Sequence, residues 1–220
     1  AIRSDKPFNE AQRGIEASAW FMPPVPVNFQ SLKGYELANI VTDPAQLPEY
    51  DLLLVLDTGA WSQLSPIRKV LENSLDRTLI LDHHLSGDVD AKYRFIDGTA
   101  AACCEVVAQV IDHLGSEAVL ASLTTGSFND VIAESLFVGI ASDTGWFRFS
   151  NTSPRTHELA AKLLRQGVNQ PELYARLEQT ERPEKLALLI RALKSLQLIA
   201  GGQVALMVLR AKDFADSGAL

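Results

Sequence analysis

The stretch DLLLVLDTGAWSQLSPIRKVLENSLDRTLILDHH, residues 51–84, decides the fold. Its opening run, Asp51–Leu56, is nearly all apolar, as expected of a parallel strand covered on both faces. Residues 66–73 then predict a helix, and Thr78–Leu81 a second buried strand. Strand, helix and strand in that order make a right-handed βαβ unit with parallel strands. Asp57 follows the first strand directly, and Asp82 follows the second 25 residues later, with His83 and His84 just beyond. Both carboxylates therefore arrive at the same carboxyl edge, where open α/β sheets bind ligands.

Working outward, residues 9–21 predict a short helix, after which Pro23, Pro24 and Pro26 force an extended connector. Strands are expected at 37–41 and 93–96. The spacing of Val106, Val107, Val110, Ile111 and Leu114 predicts a helix over 100–114. A largely buried helix over 130–141 should end near Asp143-Thr144-Gly145. Ser153 reads as the N-cap of a further helix, with Pro154 in its first turn and Gly167 as its stop. An amphipathic helix over 183–198, a turn at Gly201-Gly202 and a strand over 203–209 complete the pattern. The chain thus predicts an α/β fold with a mostly parallel sheet flanked by helices and the start of a second α/β domain. The expected division is a separate segment 1–30, a main domain 31–170, a helical linker 171–198 and the second domain from 199 to 220.

The 220 residues are 47% hydrophobic and 21% charged, enough for a sizeable core. Net charge is −7 and the pI about 5.1, which argues against tracking long nucleic acid by general electrostatics. The two cysteines, Cys103 and Cys104, are adjacent and form no disulfide framework, so they read as reduced and the chain as cytoplasmic. No run of 18 apolar residues and no signal pattern occurs, so neither a membrane span nor secretion is expected.

Asp57 with the His83-His84 pair could share a metal ion. Imidazole and carboxylate without thiolate favour Mn²⁺, Mg²⁺ or Co²⁺ over a structural zinc. Taken alone, Asp57 reads as a turn or helix-capping residue, and a lone His as a packing or surface residue; the Asp82-His83-His84 group at a strand end points to function. Asp143 sits at a helix C-terminus, where the helix dipole disfavours a carboxylate. A metal ion would account for it, and so would Arg148. His113 and His157 read as structural or surface residues and the cysteine pair as packing, while Gly201-Gly202 lacks the setting of a dinucleotide loop.

The Asp57 strand end, Asp82-His83-His84, the AACCEVV stretch at 101–107, and Asp143-Thr144-Gly145 running towards FRFSNT together resemble the DHH phosphoesterase superfamily. The resemblance covers roughly residues 25–220 and is greatest to the oligoribonuclease and pAp-phosphatase type. It implies a phosphoesterase that uses two metal ions, usually Mn²⁺, on short RNA or DNA oligonucleotides and on nucleotide phosphates such as pAp. By the same resemblance Asp57 bridges both metals, and His83 and Asp143 complete the second site. His84 faces the scissile phosphate while Asp82 supports the pair from behind, both as catalytic residues. Arg148 and Arg155 are candidates to hold substrate phosphates, with an ion-pair role equally open for each. A homodimer is compatible with the family.

Two departures shape the expectation. The family's first motif, a His followed by Asp-x-Asp, has no counterpart, since no His precedes His83. Its substrate-binding second domain is expected only to begin before Leu220. The chain is therefore expected to be a piece of a two-domain enzyme, to bind at most one Mn²⁺ well and to turn over weakly. The alternatives are a pyrophosphatase or exopolyphosphatase of the same superfamily, or a non-catalytic remnant that binds nucleotides or a partner.

Overall fold

Residues 17–114, 127–179 and 182–219 are described in a computed structural model of the chain. Strand β1 (Ala19–Phe21) pairs in parallel with β2 (Ala38–Ile40). This corrects the helix expected over 9–21, of which residues 9–16 lie outside the described residues. Trp20 and Phe21 favour extended backbone, and a residue just ahead of a proline, as Met22 is, is steered away from helix.

The main sheet is β3 (Leu53–Leu56), β4 (Thr78–Asp82) and β5 (Tyr93–Ile96), all parallel, with β4 in the middle. The helix expected over 66–73 is split. Helices α1 (Trp61–Leu64) and α2 (Arg68–Glu72) flank a single 3-10 turn that starts at Ser65-Pro66. The ring of Pro66 and its missing N–H prevent one continuous helix.

Register assigns the two faces of the sheet. Val55 lies beside Ile80 on one face, and Leu54 beside Leu79 and Leu56 beside Leu81 on the other. The first face packs Val55 and Ile80 against Leu64, Leu71, Val89 and Ala91. The second is covered by α3 (Cys103–Leu114), which seats Cys103 and Val106 on Leu81, with Ala100 of the preceding turn beside them. That cover is centred on β4. Leu54 and Leu56 stay 40% and 46% exposed, so β3 is covered on one face only, unlike the two-sided burial its sequence predicts.

Helix α4 (Ser127–Asp143) packs on α3, and α5 (Pro154–Arg165) on α4. A Cβ at Gly139 would overlap the Cys104 sulfur, so the absence of a side chain lets α3 and α4 approach closely. The Ser153 cap forms as expected: its hydroxyl accepts from the Thr156 N–H, and the Thr156 hydroxyl accepts from the Ser153 N–H. Between α4 and α5, Gly145, Trp146 and Phe147 all take left-handed backbone. The Thr144 hydroxyl, which donates to the Ile140 carbonyl and accepts from the Phe147 N–H, shapes that turn. It sets Phe147 between the rings of Phe137 and His157, which gives His157 a packing role.

The chain divides into two compact units, Ala1–Gln170 and Pro171–Leu220. Helix α6 (Gln170–Glu178) begins at that division. The second unit contains α7 (Pro183–Lys194), an antiparallel pair of β6 (Gln197–Ile199) and β7 (Val204–Leu206), and α8 (Ala211–Ser217). Helix α7 ends at Lys194, four residues before the expected 198, because Gln197 to Ile199 are taken into the strand pair. Arg191 ties α7 to Asp213 and Asp216 of α8. Among the described residues no helix is long and apolar enough to cross a membrane.

Candidate metal centre

Parallel strands put the ends of β3 and β4 side by side. The Asp57 N–H still donates to the Leu81 carbonyl at 3.0 Å, after which the backbone of Asp57 turns left-handed, at φ +66°. Aspartate tolerates that region better than most residues, yet it remains a strained position. The turn leaves the Asp57 side chain 55% exposed at the sheet edge.

Asp82, at the end of β4, is 1% exposed. Its Oδ1 accepts from the N–H of His83 at 2.7 Å and of His84 at 3.1 Å, and lies 2.8 Å from His84 Nδ1. One carboxylate oxygen therefore folds the His-His dipeptide around itself. His84 is held with its ring towards the cavity, and its bond to Asp82 raises its pKa above the usual histidine range.

His83 Nδ1 lies 3.2 Å from the Ala100 carbonyl, an acceptor, which puts the proton on Nδ1. Nε2 is then a lone-pair donor. It lies 3.5 Å from Asp57 Oδ1 and 3.5 Å from Asp143 Oδ2, the latter on the last residue of α4. It is buried and has no hydrogen-bond partner. Burial raises the pKa of Asp57 above the usual aspartate range, with repulsion from Asp143 adding to it, and burial does the same to Asp143. Two carboxylates that repel each other across an unpartnered imidazole nitrogen suit a divalent cation, which would satisfy all three.

Single ligand atoms of Asp57, Asp82, His83 and His84 lie within 4.8 Å of one another. Asp82 already accepts from the backbone and ring of the His pair, while Asp143, with Oδ2 3.5 Å from His83 Nε2, stands beside Asp57 and His83 as a candidate donor. A cavity of about 570 Å³ opens here and is also lined by Met22, Thr58 and Gln63. Arg148 is exposed and curls back, its Nε donating to the Gly145 carbonyl at 2.7 Å. Arg155 is ion-paired, at 2.8 Å to Asp97 and 3.3 Å to Glu105. Sequence reading missed the Ala100 carbonyl, which has no residue-type signal, and Met22, Thr58 and Gln63, which are unremarkable as residue types.

No protein-family model matches the chain. It is 31% identical over 164 residues to the bifunctional oligoribonuclease and PAP phosphatase NrnA of Thermus thermophilus, covering 73% of this chain and 45% of that protein. The proteins of the same name from Mycoplasma genitalium and Bacillus subtilis are 30% and 27% identical over 51% and 59% of this chain. The chain spans less than half the length of these relatives: 45%, 32% and 38%. A crystal structure of an exopolyphosphatase-related protein from Bacteroides fragilis superposes with a TM-score of 0.74 at 17% identity, over 91% of this chain and 58% of that one, and shows the same fold. These likenesses support a protein of the DHH phosphoesterase class. Within that class it is similar to the oligoribonuclease and PAP phosphatase type.

Proposed function

We propose that this chain carries the metal-binding half of a phosphoesterase that hydrolyses short oligoribonucleotides and nucleotide bisphosphates such as pAp. The observation that carries the reading is the buried, unpartnered Nε2 of His83, set between Asp57 and Asp143. These three residues would hold one divalent ion, Mn²⁺ before Mg²⁺ or Co²⁺ for a mixed imidazole and carboxylate set. When bound, such an ion activates water near neutral pH and offsets phosphoryl charge. A second ion would have Asp57 as its only shared donor among the described residues, so this polypeptide holds one ion well.

The chain's own groups do the rest. His84, held by Asp82 and favoured in its protonated form, presents a donor to a phosphate oxygen at the cavity wall. Asp82 acts through the His pair, which it holds in place. Arg148 offers its outer guanidinium nitrogens to a second phosphate. The acidic net charge favours short, end-accessible substrates over long strands.

The test compares Mn²⁺-dependent hydrolysis of pAp, a two- to five-nucleotide RNA, a long single strand and inorganic pyrophosphate, with His83→Ala alongside. The expected result is weak turnover of the short substrates that His83→Ala abolishes, with one Mn²⁺ per chain by electron paramagnetic resonance. Preference for pyrophosphate or for the long strand, or nucleotide binding without Mn²⁺ and without turnover, would overturn the reading.

A further inference from the structure

We infer that Asn151 is a positioning residue that sets the spacing between His83 and Asp143. Its side-chain Nδ2 carries two protons, and both are used. One goes to the Ala101 carbonyl at 3.1 Å and the other to the Asp143 carbonyl at 3.2 Å. Those carbonyls belong to different elements, 42 residues apart in the chain. Ala101 follows Ala100, whose own carbonyl takes the Nδ1 proton of His83. Asp143 is the third donor of the candidate centre. A single amide thus ties the backbone that orients the imidazole to the backbone that carries the carboxylate.

The same turn is held from its other side. Asp97 closes it by accepting from the Thr99 N–H and hydroxyl, and the Ala100 N–H donates to the Asp97 carbonyl. Arg155 grips Asp97 at 2.8 Å, and the Asp97 N–H donates to the Asp82 carbonyl at the end of β4. Residues 97–102 are therefore pinned at both ends by Asn151 and Arg155, four residues apart. Asn151 would also serve as an ordinary cap, because the last carbonyls of α4 have no intrahelical partner. The two roles differ in what they predict. A cap contributes to stability alone, whereas a positioning residue governs how well His83 and Asp143 hold one ion together. Partners that orient metal ligands typically change metal affinity ~10–100-fold when removed.

The inference rests on the proposed metal centre, so the experiment separates the two. Asn151→Leu keeps the size of the side chain and removes both donors at an exposed position, with Asn151→Ala as a second variant. In the full chain, Mn²⁺ titration followed by electron paramagnetic resonance should show affinity weakened ~10–100-fold. The metal-free melting temperature should fall modestly, as the loss of a cap requires. In metal-free ¹⁵N spectra the wild-type His83 ring Nδ1–H should be protected from exchange, and in both variants that signal should be lost or displaced. Mn²⁺ affinity within about twofold of wild type, together with an unchanged His83 signal, overturns the positioning role while leaving the centre intact. Should His83→Ala bind Mn²⁺ as wild type does, the metal reading falls instead. The His83 signal in the Asn151 variants then decides the positioning role alone: displaced supports it, unchanged overturns it.

Discussion

Three adjacent strands end in aspartate, and the fold treats the three carboxylates differently. Asp57 leaves the edge strand β3 in left-handed backbone, 55% exposed, facing Asp143 and the His83 ring. Asp82 closes the central strand β4 at 1% exposure and spends one oxygen on the backbone of the His pair. Asp97 follows β5 and is committed to the Thr99 turn and Arg155. The same residue type at one sheet edge, with Asp57 level with Asp82 and Asp97 one residue further along, thus becomes a candidate donor, a scaffold and a clamp. What separates them begins with burial: Asp82 ends the middle strand on the Ile80 face, beside Gly59, so its carboxylate must find partners inside the protein. The two edge strands differ in what lies beside them: Asp97, beyond β5, is taken up by Thr99 and Arg155, while Asp57, beyond β3, has no such partners among the described residues.

The largest expected effect lies at the uncommitted position. Asp57→Asn should weaken Mn²⁺ binding by more than about 100-fold, exceeding the loss for a supporting residue. Its pKa is raised in the folded state, so the fold disfavours its charge, and neutralising it should leave the metal-free melting temperature equal or higher. A lowered metal-free melting temperature with unchanged Mn²⁺ affinity would erase the distinction from Asp82.

Asp82→Asn should do the reverse. It replaces a buried carboxylate with an amide whose NH₂ has no acceptor assigned to it, at a cost of roughly 1–3 kcal/mol. For a unit of this size that is a melting temperature lower by roughly 2–10 °C in thermal denaturation of the metal-free chain. A stability equal to wild type would show that the scaffold role has been misjudged.

The clamp should show itself in acid. The Thr99 hydroxyl, and then the Arg155 guanidinium, hold the Asp97 carboxyl well below the usual carboxylate range. A depressed folded-state pKa contributes stability that is present above the unfolded value, about 4, and is lost as pH falls further. Wild type should therefore lose melting temperature more steeply below about pH 4 than Asp97→Asn does. Parallel acid profiles would remove Asp97 from the comparison. The smallest effect belongs to the face that β3 leaves open. Leu54→Thr should change stability by no more than about 0.5 kcal/mol in denaturant unfolding, and a larger loss would mean that this face is covered in solution.

Much of this was legible in the sequence because strand ends are. A continuous apolar run followed by Asp can be placed on a parallel sheet without knowing its neighbours, and TLIL followed by Asp82-His83-His84 needed no more than that. Asp143 was readable from its conflict with the helix dipole. Legibility failed where outcome depended on cover or on long-range partners. DLLLVL looks like a two-sided strand, yet only the helix position decides that Leu54 and Leu56 stay exposed. Trp146 and Phe147 carry no glycine-like signal for left-handed backbone; the Thr144 hydroxyl and the packing of Phe147 impose it. Nothing in SNT announces that Asn151 reaches two carbonyls at once, and Ala100 acts through a carbonyl that every residue possesses.

The close crossing of α3 and α4 at Cys104 and Gly139 has a consequence on an evolutionary scale. A methyl at position 139 overlaps the sulfur, so the two sites share one fixed volume and their substitutions are coupled. A lineage that enlarges residue 139 has to shrink residue 104 beforehand, and the opposite order passes through an overpacked intermediate. Asp143 sits one helical turn beyond Gly139, so overpacking at that crossing bears on the helix end that carries the carboxylate. The order in which neutral changes accumulate here is therefore constrained by the chemistry at the end of the helix.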